Sequence, residues 1–144
     1  MRKILIMGLP GSGKTTLAEK LADEVGQNFP VEWINADKIR QQYNDWDFSE
    51  DGRRRQMLRI RDMADQAVAK GMVAICDFVC PTQDLRYEFN PDLIVWMDTI
   101  KEGRFENTNQ IFEAPDRDEY DFRITEYDSD RWSKTLADLV WILE

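Results

Sequence analysis

Short apolar runs alternate along the chain with stretches in which apolar residues recur every three or four positions. The run Lys3–Gly8, KILIMG, is apolar and ends on glycine, which predicts a buried strand. Behind it, KTTLAEKLADEVG sets Leu17, Leu21 and Val25 on one helical face and closes at Gly26. VEWIN predicts a second strand, and ADKIRQQY one or two helical turns. DWDFSEDG is a polar, aromatic loop in which Ser49 can cap the next helix, with Glu50 and Asp51 favourable at its positive end. That helix carries Met57, Ile60, Ala64, Ala67 and Val68 on one face. MVAICDF predicts a third strand broken at CPT, DLIVWMD a fourth, and DFRITE a fifth. In the last segment, Trp132, Leu136, Leu139, Val140 and Leu143 form an apolar stripe suited to docking on a sheet.

Strands that alternate with helices imply a mostly parallel sheet of about five strands with helices on both faces. No repeat, low-complexity run or linker interrupts the 144 residues, which predicts a single domain over 1–144. The net charge of −9 counts against a broad electrostatic grip on nucleic acid. It leaves room for a local basic pocket that takes a small anion. No apolar stretch has the length of a membrane span, and MRKILIMGLPG is too short and too soon glycine-rich for a signal peptide. Cys76 and Cys80 make no disulfide framework, so a reducing, cytoplasmic setting is expected. The chain has no histidine and therefore no zinc-ligand set of the usual kind.

The chemistry begins directly behind the first strand. Gly8-Leu9-Pro10-Gly11-Ser12-Gly13-Lys14-Thr15 fits the phosphate-binding P-loop, followed by Thr16. The glycines let backbone N–H groups turn inward around phosphate oxygens, and the following helix adds its positive end. Gly8, Gly11, Ser12, Gly13, Lys14, Thr15 and Thr16 are therefore the expected ATP-binding residues. Lys14 is expected to reach the β- and γ-phosphates, and the Thr15 hydroxyl to ligate Mg²⁺. With the strand before and the helix after, the fold class is α/β, a three-layer P-loop NTPase-type domain.

The guanine motif N-K-x-D is absent, which disfavours a GTPase switch, and the chain is too short for a motor or transporter ATPase with coupling domains. INADKIR follows the second strand. The carboxyl end of a strand next to the P-loop strand is where an α/β sheet opens its ligand crevice. An Asp and an Arg there suggest a phosphoryl-acceptor site.

At these residues the sequence resembles the adenylylsulfate kinase (adenosine 5′-phosphosulfate, APS, kinase) family. That family runs from "GLSGSGKST" through "DGDNxR", "GFSxxDRxxN", "FISP", "D-T" and a Tyr-Glu-x-Pro segment. The corresponding stretches here are GLPGSGKTT, NADKIR, DFSEDGRRRQ, FVCP, MDT and FEAP, in the same order. The resemblance implies a kinase that uses ATP and Mg²⁺ and phosphorylates a small nucleotide, adenylyl sulfate. It implies that Asp37 orients the acceptor hydroxyl and Mg²⁺. Arg40 and Arg53 would contact the phosphosulfate, and Phe48 would stack on the adenine. Gln56 stands where the family has Asn, and Phe78, Val79, Cys80 and Pro81 line the acceptor pocket. Members often dimerise, so a homodimer is one expected assembly. Simpler roles stand beside these: Asp37 as a helix cap, Phe48 as a loop anchor, and Arg54, Arg55, Arg59 and Arg61 as a solvated, salt-bridged face.

The sequence departs from the family in three places. The first acid of "DGD" is Asn35, and in apparent exchange Asp77 ends the third strand, where it can either serve Mg²⁺ through water or be held by backbone N–H groups. The long lid after "D-T" is reduced to IKEGRFENTNQ, with Arg104 as the candidate for a lid arginine and Phe105 for a second stacking aromatic. A loop so rich in Gly and Asn is expected to be open and poorly ordered in the free protein.

Overall fold

The computed structural model describes residues 2–143, with the Leu143 side chain outside the described residues. Five strands form one sheet in the order β2-β3-β1-β4-β5, with every pairing parallel. They are β1 (Lys3–Met7), β2 (Val31–Asn35), β3 (Val73–Asp77), β4 (Leu93–Met97) and β5 (Phe122–Ile124). The helices are α1 (Lys14–Val25), α2 (Ala36–Tyr43), α3 (Glu50–Ala69), α4 (Gln83–Phe89), α5 (Glu106–Ile111) and α6 (Ser129–Leu143).

Side chains of the central strands alternate between two cores, as the period of a strand requires. Ile4, Ile6, Ile75 and Val95 meet α1 and α6 on one face, where Leu17, Leu21, Leu136 and Val140 are buried. Leu5, Met7, Cys76 and Ile94 face α3 on the other, packing with Met57, Ile60, Ala64 and Ala67. Both faces of a parallel sheet are covered in this way, so the central strands read as continuous apolar runs. The predicted stripe of α6 docks as expected, with Trp132 and Leu139 packed at its margin. Ser49 caps α3 by accepting the Gly52 N–H at 3.2 Å. No helix among the described residues is long and apolar enough to cross a membrane.

The strand order corrects one expectation. β2 is an edge strand, and β3 lies between it and the P-loop strand β1. The crossover through α1 skips one position, which β3 later fills. On that side the neighbour of the P-loop strand is therefore β3, and Asp77 at its end meets Thr15 of the loop. The chain then passes to the other side of β1 through β4, and the crevice opens at the carboxyl ends around this change of direction. Two helices have no counterpart in the sequence reading. α4 follows CPT, capped by Thr82, whose hydroxyl accepts the Leu85 N–H at 3.3 Å. α5 forms inside the segment predicted to be an open loop.

Candidate active site

The phosphate loop leaves β1 under tight confinement. A Cβ on Gly8 would lie 2.6 Å from the Met97 carbonyl oxygen of β4 and 2.8 Å from Ser12 Oγ. Gly13, at φ 98°, begins α1 in a left-handed conformation that side chains rarely adopt, under the ring of Tyr127. Thr99 Oγ1 donates to the Ser12 carbonyl at 2.7 Å, and the Tyr127 hydroxyl donates to the Gly11 carbonyl at 2.7 Å. Lys14 turns back onto its own loop, donating from Nζ to the Leu9 carbonyl at 2.8 Å. Burial lowers its pKa to about 8, against the opposing pull of Asp77 and Asp37, while the Arg104 charge lowers it further. Thr16 stands exposed in the first turn of α1 beside Thr15.

Asp77 is buried beside the loop and accepts three side-chain hydrogen bonds. Thr15 Oγ1 donates to Oδ2 at 2.9 Å, Asn35 Nδ2 to Oδ2 at 3.0 Å, and Trp33 Nε1 to Oδ1 at 2.8 Å. Burial raises its pKa, and the three donors and Lys14 oppose that rise. Of the two readings open in the sequence, backbone N–H groups are not what holds this carboxylate. Asn35 also caps α2, with its Oδ1 accepting the Lys38 N–H at 3.1 Å. The capping role considered for Asp37 thus belongs to Asn35. Asp37 is exposed in the first turn of α2 and lines the cavity.

The donor set fits Mg²⁺. A hydroxyl on the P-loop helix, a carboxylate bonded to it and Asp37 nearby are hard oxygen ligands at the mouth of a phosphate loop. Among the described residues no cluster of three or more His, Cys, Asp or Glu forms an all-protein cage. Mg²⁺ commonly binds through one or two carboxylates with substrate phosphates and water completing its shell.

A cavity of about 630 Å³ extends from the loop. It brings together Lys14, Thr15, Asp37, Arg40, Phe48, Arg53, Gln56, Asp77, the wall Phe78-Val79-Cys80-Pro81, Arg104 and Phe105. Trp46 and Thr108, which the sequence does not single out, also line it. Phe48 is 46% exposed at the rim, with the Arg40 guanidinium 4.1 Å from its ring centre. Arg40 itself is buried and props the loop before α3, donating to the Asp45 carbonyl at 2.9 Å and the Asp47 carbonyl at 3.2 Å. Arg55 and Arg59 bind the Asp45 carboxylate from outside, holding its pKa far below the usual carboxylate range. The arginine face of α3 is salt-bridged as expected, and two of its members also anchor this loop.

Arg53 joins both sides of the cavity. Its Nε donates to the Phe48 carbonyl at 2.9 Å and its Nη2 to Thr108 Oγ1 of α5 at 3.1 Å. Gln56 donates to the Ala36 carbonyl at 2.9 Å. The 78–81 wall of the cavity is set from behind by Arg86, a buried residue that the sequence reading missed. It donates to the Cys80 carbonyl and to the Glu113 carbonyl, both at 2.9 Å. Cys80 adopts φ 46°, a conformation that needs such outside support. FEAP packs here too, through the Glu113 N–H to the Pro81 carbonyl at 2.7 Å.

The shortened lid is not the open loop expected from its composition. Asn109 clasps Gly103 in both directions, accepting its N–H at 2.8 Å and donating to its carbonyl at 2.9 Å. A Cβ on Gly103 would lie 3.1 Å from Pro10, and Arg53 holds Thr108. Gly and Asn serve here as close-contact and clasp residues. Arg104 remains exposed on the cavity side, and Phe105 is 55% exposed at the rim.

The family model described as adenylylsulphate kinase matches residues 2–95, from β1 into β4 and short of the lid. The adenylyl-sulfate kinase of Bacillus pumilus is 36% identical over 85 residues, covering 58% of this chain and 43% of that protein. The adenylyl-sulfate kinase of Bacillus velezensis is 32% identical over 115 residues, covering 78% of this chain and 53% of that protein. The chain thus spans about half the length of the curated relatives it matches. The APS kinase CysC of Mycobacterium tuberculosis, solved in complex with AMPPNP and APS, superposes with a TM-score of 0.77 at 17% identity. That superposition covers 96% of this chain and 97% of the other, and at this identity it bears on the fold alone.

Two measurements test this geometry. Lys14 binds fewer protons folded than unfolded between its lowered pKa of about 8 and the ordinary 10.5. Its charge therefore costs stability in full below pH 8, and the cost fades as pH rises towards 10.5. Lys14→Met is expected to be more stable than the parent at pH 7, by about 3 kcal/mol at most. Denaturant titrations should show this gap narrowing above pH 8. At Gly52, a Cβ would fall on the carbonyl oxygen of Asp47. Gly52→Ala should lower the melting temperature despite its better helix propensity, because such overpacking costs about 1–3 kcal/mol.

Proposed function

The chain belongs to the adenylylsulphate kinase family, and from that premise we propose that it transfers the γ-phosphoryl group of ATP to the 3′-hydroxyl of adenylyl sulfate, giving 3′-phosphoadenylyl sulfate and ADP. One observation carries this reading. A single cavity has the phosphate loop with its Thr15–Asp77 pair at one end. Away from that pair it has Phe48, Arg53 and the 78–81 wall, while Asp37 lines it within electrostatic reach of Lys14.

Phosphoryl transfer asks a protein mainly for positioning and charge stabilisation. The loop N–H groups hold the ATP phosphates, and Lys14 leaves the Leu9 carbonyl to meet the β- and γ-oxygens. Thr15, with Asp77 and Asp37 beside it, would hold Mg²⁺, which would supply positive charge against the phosphate oxygens when bound. Asp37 sits at the open side of the loop, where it accepts or steers the proton of the attacking hydroxyl. Phe48 and Phe105 offer aromatic faces to the adenine from the two rims. Arg53 offers its planar fork to the phosphosulfate, and Arg40 acts through Phe48 and the loop it supports. Arg104 brings a further cation to the transferring group.

The deciding assay offers ATP with adenylyl sulfate, nucleosides and sugars, and counts ADP against phosphorylated product. Phosphorylation of adenylyl sulfate is expected. Product from another hydroxyl, with none from adenylyl sulfate, would overturn the acceptor assignment. Asp37→Asn should lower kcat by about 10²–10⁴-fold, the usual contribution of a positioned base, with ATP affinity nearly unchanged. Arg53→Ala should raise the acceptor KM, and through the lost Thr108 contact should also loosen α5, visible as faster amide exchange there.

A further inference from the structure

The rung that joins the ends of β2 and β3 is built more elaborately than a phosphate site requires. Asn35 and Asp77 are direct register partners. Asn35 and the Thr15 hydroxyl both donate to Asp77 Oδ2. The other oxygen, Oδ1, receives the Trp33 indole N–H at 2.8 Å. Trp33 and Asn35 are two residues apart on β2, so their side chains leave the same face. Asn35 reaches straight across the rung. Trp33, whose own register partner is Ile75, reaches diagonally to Asp77. Its ring is braced by the Lys38 ammonium, 4.8 Å from the ring centre.

The terminal torsion of an aspartate is broad and roughly two-fold. Donors on Oδ2 alone leave the carboxylate plane free to turn about that oxygen, whereas a donor on Oδ1 fixes it. Indole N–H is a donor only, so it cannot exchange roles with the oxygen it holds. With the Trp33 N–H on Oδ1 and two donors on Oδ2, the carboxylate plane is fixed and Oδ2 is kept beside the Thr15 hydroxyl. Resting on the metal-side reading of Asp77 above, we propose that Trp33 is a positioning residue that locks the Asp77 carboxylate so that Oδ2 and the Thr15 hydroxyl face the nucleotide as one oxygen pair.

The rung itself sets a companion rule. Two carboxylates across the 3.0 Å contact would repel in a buried site, and two amides would leave the oxygen pair uncharged. One acid facing one amide meets both conditions, and Asn35→Asp keeps the cap on α2.

Calorimetric titration of ATP with and without Mg²⁺ tests this without any acceptor. Trp33→Phe removes the N–H and keeps an aromatic ring. It should cut the gain in ATP affinity due to Mg²⁺ on the order of tenfold, as loss of a partner behind a metal ligand does. Metal-free ATP affinity should stay within about twofold, the range of a change without such a role. Trp33→His, which retains a ring N–H, should recover part of the gain. Asn35→Asp combined with Asp77→Asn should retain more of it than Asp77→Asn alone. Trp33→Leu is read in parallel, so that a fold loss in one variant leaves the other, with melting curves for all. A parental Mg²⁺ gain in either folded N–H-free variant would overturn the positioning role, as would equal losses in Trp33→Phe and Trp33→His. A wild-type chain whose ATP affinity ignores Mg²⁺ would overturn the metal-side reading of Asp77 itself.

Discussion

The hydrogen bond from the Thr15 hydroxyl to Asp77, 2.9 Å long, joins the two halves of the site. It ties the first turn of α1, and with it the phosphate loop, to the last residue of β3. The residues that follow Asp77, Phe78 to Pro81, are the cavity wall proposed to face the acceptor. A shift of β3 against β1 would therefore move that wall relative to the phosphate loop. The parallel register from Lys3 with Ala74 to Ile6 with Asp77 keeps that distance fixed. Transfer between two bound groups depends on such a fixed distance, because a displacement on the order of 1 Å can cost a hundredfold in rate.

The same neighbourhood holds charge at a cost. Lys14 is buried enough to lose part of its basicity, and Asp77 is buried enough to gain some. Each offsets the other, and neither is fully repaid by the protein alone. Bound phosphates would add negative charge beside Lys14, and a cation would do the converse beside Asp77. A site of this kind gives up stability when empty and recovers it on binding, a frequent arrangement at functional centres.

Around this rigid seam the rest of the cavity is assembled from short pieces held by arginines. Arg40, Arg55 and Arg59 fasten the loop that presents Trp46 and Phe48. Arg53 bridges that loop to α5, and Arg86 fixes Cys80 against the segment at Glu113. Guanidinium forks suit this task because one side chain can satisfy several carbonyls at fixed angles. With α5 at its edge, these props shape the cavity. The lid region stays close to the phosphate loop through the Asn109–Gly103 clasp and the packing of Gly103 on Pro10.

Much of this was legible in the sequence, because it depends on near neighbours in the chain. The P-loop spacing, the apolar faces of α1, α3 and α6 and the Ser49 cap follow from local geometry. The ordered motifs named the residues that the cavity gathers. What the chain alone did not determine was decided by pairings distant in sequence. The position of β3 between β1 and β2 depends on which strand fills the gap left by a crossover, and no local pattern encodes that choice. It made Asp77, more than 60 residues from Thr15, the partner of the P-loop hydroxyl. It also brought Trp33 to bear on the same carboxylate. The period of two between Trp33 and Asn35 was visible, but its meaning required the register with β3. Arg40 matched a ligand-binding pattern, and only the folded loop revealed the carbonyls that engage it. The Gly and Asn of the lid suggested mobility by composition. Tertiary contacts instead use them for close packing and a clasp, because a small residue permits approach as readily as motion.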